Sequence, residues 1–205
     1  TVSVNTTSGF SIVSYTGTGA NATVGHGLGV APSMMIVKGR DSAGSWAVYH
    51  ANANASPASG RLYLQLTNGF TAQATAWNST VPSSTVFSVG SLTDTNQNTN
   101  AMIAYCFAEV PGYSAIGSYT GNGSADGTFV HLNFRPSWLL IKQTNSGSFN
   151  WNLIDTSRSP FNTADDLLAP NANNAEVVSG FVDAVSNGFK CRNSSAYVNG
   201  SGSTY

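Results

Sequence analysis

The sequence predicts an all-β protein made of two tandem, internally duplicated β-sandwich lobes with a jelly-roll-like arrangement. Three observations carry that prediction. First, SYTGTG at 14–19 returns as SYTGNG at 118–123, an offset of about 104 residues. Second, both copies continue alike: a Pro-Ser dipeptide (Pro32-Ser33, Pro136-Ser137) opens the apolar runs MMIVK and WLLIK. Each run ends on a lysine (Lys38, Lys142), then a polar turn and a Trp-led segment, WAVYH at 46–50 and WNLID at 151–155. An insertion in the second turn stretches the offset to about 105. Third, only 8% of the 205 residues are charged, so the surface must be Ser, Thr, Asn and Gly, which are weak helix formers. The repeat divides the chain at Val110-Pro111-Gly112 into lobes 1–111 and 112–205.

Each element follows from local pattern. Residues 1–10 read as a lead-in, 11–15 as the first strand and TGTGAN as its turn. Residues 23–24 begin a short strand, and the Gly-rich stretch 25–32 ends at Pro32, tolerated ahead of a strand because its missing N–H breaks no ladder. MMIVK lacks alternation and predicts a strand covered on both faces, whereas WAVYH alternates like a half-buried one. Residues 51–60 are a low-complexity loop, 61–66 (RLYLQL) alternate, and Asn68-Gly69 is a turn. AQATAWN has a helical look that its threonines contradict; 86–89 and 101–107 (AMIAYCF) are strands around the polar loop SLTDTNQNTN. The second copy predicts strands in SAIGSY, TFVHL, WLLIK and WNLID, one helical turn in ADDLLA within the polar stretch 156–174, a Gly-kinked strand VVSGFVDAV and an Asn187-Gly188 hairpin before FKCR.

One asymmetry stands out. The first copy closes on AMIAYCF, but the second stops at GSGSTY with Tyr205 opposite Met102. The closing strand is expected either to lie beyond a fragment's end, the favoured reading, or to come from a neighbouring subunit.

The net charge of −1 supplies no basic field for nucleic acid and no polybasic patch for a membrane, and no apolar run nears the roughly 20 residues of a membrane helix. The N-terminus has neither the basic start nor the apolar core of a signal peptide. Cys106 and Cys191 fall at non-equivalent places and read as buried free thiols rather than a disulfide. His26, His50 and His131 show no metal-ligand spacing and read as capping or packing residues. Asp165-Asp166 lie side by side without a carboxylate opposed across a cleft, no GxSxG elbow occurs, and the glycines at 17–29 lack dinucleotide-loop spacing. No catalytic residue, metal site or cofactor is predicted.

The aromatic residues are the best candidates for binding. Trp46 and Trp151 are equivalent, Trp138 replaces Met34, and all three are expected in the cores. Trp77 has no twin and lies in a polar connection beside Asn78. With Tyr63, and with Tyr113, Tyr197 and Tyr205, it is the candidate platform for a sugar, which binds through CH faces on aromatic rings and hydroxyls on neutral amides. The alternative is that Trp77 plugs one end of a sandwich. The Asn-x-Ser/Thr triplets at Asn5, Asn21, Asn78, Asn122, Asn193 and Asn199 carry weight only in a eukaryotic source.

The runs GHGLGVAPSMMIVKGR, SWAVYH, AWNSTVPSSTVFSVG, AYCFAEVPGYSAIGSYTGNGSADGTFV and FRPSWLLIKQT resemble a domain of unknown function that recurs in structural and tail proteins of bacteriophages of marine bacteria and cyanobacteria. The resemblance extends from about residue 10 to the end. It departs at Asn133, where the family pattern has Gly, and in lacking a closing YIYAAFAE-like strand. It implies no catalytic residues. It implies a non-enzymatic, extracellular virion protein, a tail-fibre or capsid-fibre module for host attachment. Its partners would be other copies of itself, virion proteins and a host-surface glycan. A carbohydrate-binding module and a capsid decoration protein without ligand are the competing expectations.

Overall fold

A computed structural model describes residues 1–147 and 149–205. The chain is nearly all β and forms two compact units: residues 1–64 with 70–117, and residues 65–69 with 118–205. The division after Gly117 falls a few residues beyond the Pro111 boundary read from sequence, and the short segment 65–69 groups with the second unit.

In the first unit, β1 (Val2–Asn5), β2 (Phe10–Thr16), β4 (Met34–Gly39), β5 (Ala47–His50), β6 (Gly60–Tyr63), β7 (Thr71–Ala72) and β9 (Ala101–Phe107) make one antiparallel sheet in the order β1-β2-β9-β4-β5-β6-β7. A ribbon of β3 (Ala22–Gly25) and β8 (Val86–Val89) forms its own sheet. The core fills with Val13, Met35, Val37, Tyr49, Met102, Ala104 and Cys106 from the large sheet, and Phe87 and Val89 from the ribbon. That is a sandwich-like arrangement, as the pattern of short strands and turns predicts.

The second unit is one antiparallel sheet of β10 (Phe129–His131), β11 (Trp138–Ile141), β12 (Asn152–Asp155), β13 (Ala164–Leu168), β14 (Val177–Val185) and β15 (Gly188–Cys191), ordered β10-β15-β14-β13-β12-β11. Its core holds Ile141, Ile154, Leu167, Phe181, Val182, Phe189 and Tyr205. Gly180 adopts φ +39°, and the β13–β14 register shifts between Ala164 and Asp166, which is the kink expected of VVSGFVDAV. Both thiols are free and buried, as the sequence suggests.

Several expectations need correction. The lead-in contains β1, which pairs with β2 from Val2–Val13 to Asn5–Phe10. MMIVK alternates between buried and half-buried residues, while Ala47, Val48 and Tyr49 of WAVYH are all buried. An apolar outer row such as Met34 and Ile36 is ordinary on a protein surface, so a continuous apolar run did not require cover on both faces. The polar loop before β9 contains a single helical turn, α1 (Thr93–Asn96), and ADDLLA is strand β13 rather than a helical turn. SAIGSY forms no ladder: the structure gives isolated pairings of Val110 with Ser114 and Thr120 with Thr204. Its twin β2 is held along its length by β9, whose first residues Ala101 and Met102 correspond to Thr204 and Tyr205 beside Thr120 and Tyr119. Of the tryptophans assigned to cores, Trp151 is buried, Trp46 half-buried, and Trp138 is 55% exposed.

Candidate binding surfaces

The duplicated motif resolves into a hub. Asn96 ends α1, is 1% exposed, and takes the Thr18 backbone N–H on Oδ1 at 2.8 Å. Its Nδ2 donates toward Ala20 O at 2.6 Å and Gly90 O at 2.8 Å. Asn199, fully buried, repeats this: Asn122 N–H on Oδ1 at 3.0 Å, and Nδ2 toward Ser124 O and Asn193 O, each at 2.9 Å. The tyrosine of each SYTG motif donates to the residue before its asparagine, Tyr15 Oη to Thr95 O at 2.5 Å and Tyr119 Oη to Val198 O at 2.7 Å. Each ring stands edge-on to a phenylalanine, Tyr15 to Phe87 and Tyr119 to Phe189. Burial raises both phenols' pKa.

The glycines follow from the same contact. A Cβ on Gly17 would lie 2.0 Å from Gln97 O and one on Gly121 2.4 Å from Gly200 O, while Gly19 and Gly123 have φ of +69° and +66°. SYTGxG is therefore the imprint of a buried asparagine turn closing on a loop. Sequence reading found the loop and missed Asn96 and Asn199, because their flanks, TDTNQ and AYVNG, share little but the asparagine.

The predicted ligand platform does not assemble. Trp77 is fully buried, donates Nε1–H to Gly60 O at 2.9 Å and stands edge-on to Tyr49, so it fills the sandwich as the alternative reading had it. Asn78 is exposed with φ +51°, a left-handed position that asparagine tolerates better than most residues. Tyr63 is half-buried beneath Arg61, whose Cζ lies 4.6 Å from its ring centroid. Tyr205 is buried and stacked on Tyr119; Tyr197 is 37% exposed and Tyr113 65% exposed.

Sequence reading also missed a buried ion pair. Arg61, 7% exposed, sets Nη2 3.0 Å from Asp94 Oδ2 and 2.9 Å from Tyr63 Oη, and Asp94 Oδ1 takes the Ser45 N–H at 2.9 Å. The pair braces β6 and α1, and has no counterpart in the second copy, where Tyr197 stands in for Asp94.

In the second unit, Lys142 is 4% exposed with Nζ donating to Gln143 O at 2.7 Å and Thr67 O at 3.1 Å; burial lowers its pKa to about 8. Arg158 joins Asp155 and Glu176, and its hydrogen bond holds the Asp155 carboxyl below its ordinary pKa. Asp165 and Asp166 share the Ser159 hydroxyl, at 3.3 and 2.8 Å. His26 is fully buried: Nδ1 accepts the Leu28 N–H at 3.2 Å, so Nε2 carries the proton to Ser83 O at 3.1 Å. Among the described residues, no group of His, Cys, Asp or Glu is gathered as metal ligands would be.

Part of the exposed surface is apolar. Leu140 pairs with Leu153 and Leu153 with Leu168, placing the three on one row of the outer face. Trp138 and Val178, by strand alternation, share that face and are 55% and 66% exposed, with Asp155 opposite Trp138 and Asp166 opposite Val178 between them. In the first unit, a cleft of about 370 Å³ runs past Thr1, Val13, Tyr15, Thr18 and Val24.

These features define an all-β, internally duplicated domain whose two units carry separate cores and matching asparagine hubs. The chain belongs to the family described as a domain of unknown function, DUF7483, whose profile matches residues 1–205. No curated protein and no solved structure shows significant similarity to it.

Proposed function

We propose that the chain is a structural module of a bacteriophage virion, of the tail-fibre or capsid-fibre kind, that assembles with copies of itself and other virion proteins at the surface that meets the host. One observation carries the reading: on the outer face of β11–β14 the exposed Trp138, Leu168 and Val178 and the half-buried Leu140 and Leu153 surround the carboxylates Asp155 and Asp166. Exposed apolar side chains bordered by polar groups are characteristic of contact sites, and low net charge offers little resistance to assembly. The duplicated hubs spend the matched residues of the two copies on holding loops in place, which suits a scaffold. The carbohydrate-binding alternative loses its principal ring with the burial of Trp77.

Light scattering coupled to size exclusion tests the reading. The full chain should run as a closed oligomer, a trimer for a fibre, and Trp138→Ala with Val178→Ser should shift it to monomer while circular dichroism shows the β fold retained, since both side chains are exposed in the single chain. A wild-type monomer at roughly 100 μM would count against the proposal, because stable assemblies bind well below that concentration.

A further inference from the structure

One end of the second sheet holds the last residues of β14 and the loop that leads into β13. Two exposed side chains are fixed there through a single backbone residue. Ala184 O accepts Arg135 Nε–H at 3.3 Å and Asn162 Nδ2–H at 3.1 Å, and Ala184 N–H donates to Asn162 Oδ1 at 3.0 Å. Phe161, one residue before Asn162, is 82% exposed. On its other side Ser159 is buried, with its N–H on Asp155 O at 3.2 Å and its hydroxyl on Asp166 Oδ2 at 2.8 Å. The ring therefore projects from backbone tied down on both sides, and Pro160 stiffens the path between them. A ring presented in this way loses little conformational freedom when a partner covers it.

Arg135 supplies the charge of this corner. It is exposed and has no ion-pair partner among the described residues. The first unit presents the complement. Glu109 is exposed and has no ion-pair partner among the described residues either; its Oε1 takes the Ser33 hydroxyl at 3.1 Å. Its neighbour His50 is neutral at pH 7, because burial lowers that imidazole's pKa. Tyr113, 65% exposed, stands on a turn closed by the N–H groups of Tyr113 and Ser114, both donating to Val110 O at 2.9 Å. Arg40 and Asp41 are also exposed, but they are chain neighbours of opposite charge.

We propose that Arg135 and Phe161 dock on Glu109 and Tyr113 of a second copy of this chain, a head-to-tail contact that rests on the self-assembly reading above. The guanidinium and the carboxylate make a charge-assisted pair, and the two exposed rings bury each other beside it. A contact between two different patches repeats from copy to copy, closing into a ring or extending as a fibre. An acidic glycan or peptide would satisfy Arg135 but would leave Glu109 and Tyr113 without a role.

The test measures self-association of the full chain by analytical ultracentrifugation, with circular dichroism checking the fold of each variant. Arg135→Glu and Glu109→Arg should each weaken association about tenfold or more, because each sets like charges together. The double variant should return to within about threefold of the wild type. Mixed in equal amounts, the two single variants should associate with each other. Phe161→Ala, which removes an exposed ring, should weaken association about tenfold. Single variants that leave a formed oligomer unchanged overturn this contact and spare the self-assembly reading. A double variant or a mixture that stays dissociated overturns it as well. A wild-type monomer at roughly 100 μM sinks both.

Discussion

The two units use the same hub and differ at the neighbouring strand. Asn96 and Asn199 bind equivalent atoms, the tyrosines of both SYTG motifs reach equivalent carbonyls, and the glycines are needed at equivalent contacts. Yet the first sheet continues through β9, whereas the second stops at β11 with Thr204 and Tyr205 holding the first places of the next strand. The comparison teaches that the repeated motif specifies how a loop is locked, independently of the strands that pack beside it.

The largest way to break the comparison is Trp77→Ala, which has no counterpart in the second unit. Emptying a fully buried tryptophan site should cost about 4 kcal/mol, seen by denaturant melts and localised by exchange to the first unit. Glycan binding, if the wild type shows any on an array, should survive in whatever fraction remains folded; specific loss from the folded fraction would restore Trp77 as a ligand residue.

Next in size is the matched pair Asn96→Ala and Asn199→Ala. Each leaves buried backbone groups without partners and should cost roughly 3 kcal/mol, with faster exchange confined to the unit that carries it. A large effect at one hub and a negligible effect at the other would sharpen the comparison into a real functional difference.

A smaller effect comes from titration. Burial pushes the Cys106 thiol from near 9 up to about 12 and the Cys191 thiol up to about 11. The fold keeps a proton that the unfolded chain releases, so this stability is fully present below pH 9 and is lost as pH rises toward 11–12. Lys142 works the other way, since its pKa falls from 10.5 to about 8 and stability rises with pH across that window. The unfolding free energy should therefore climb gently from pH 8 to 9 and decline above it, and Cys106→Ala should make the decline shallower by about 1 kcal/mol per pH unit.

Most of the fold was legible because strands leave period and punctuation in the chain. The runs at 86–89 and 101–107 became β8 and β9 with the bounds read, and the offset alignment placed Tyr205 opposite Met102 as the structure does. What was not legible depended on partners distant in sequence. Residues 114–119 carry a strand's composition, yet this stretch is tied in only by isolated bridges, Val110 to Ser114 and Thr120 to Thr204, where its twin β2 pairs with β9 along its length. ADDLLA reads as a helical turn until β12 and β14 flank it. Trp77 looked exposed because its neighbours in TAWNST are polar, and those neighbours sit on a surface turn while the ring points inward. The Arg61–Asp94 pair joins residues too far apart in the chain for any local pattern to announce it.

The most direct measurement of the account is amide exchange at matched strands of the wild-type chain. With β4 flanked by β5 and β9, the amides of Met35–Val37 should all be slow. With β11 at the sheet's edge, Leu139–Ile141 should split into slow amides bonded to β12 and fast ones on the open side. Uniform, equal protection of the two strands would contradict the account.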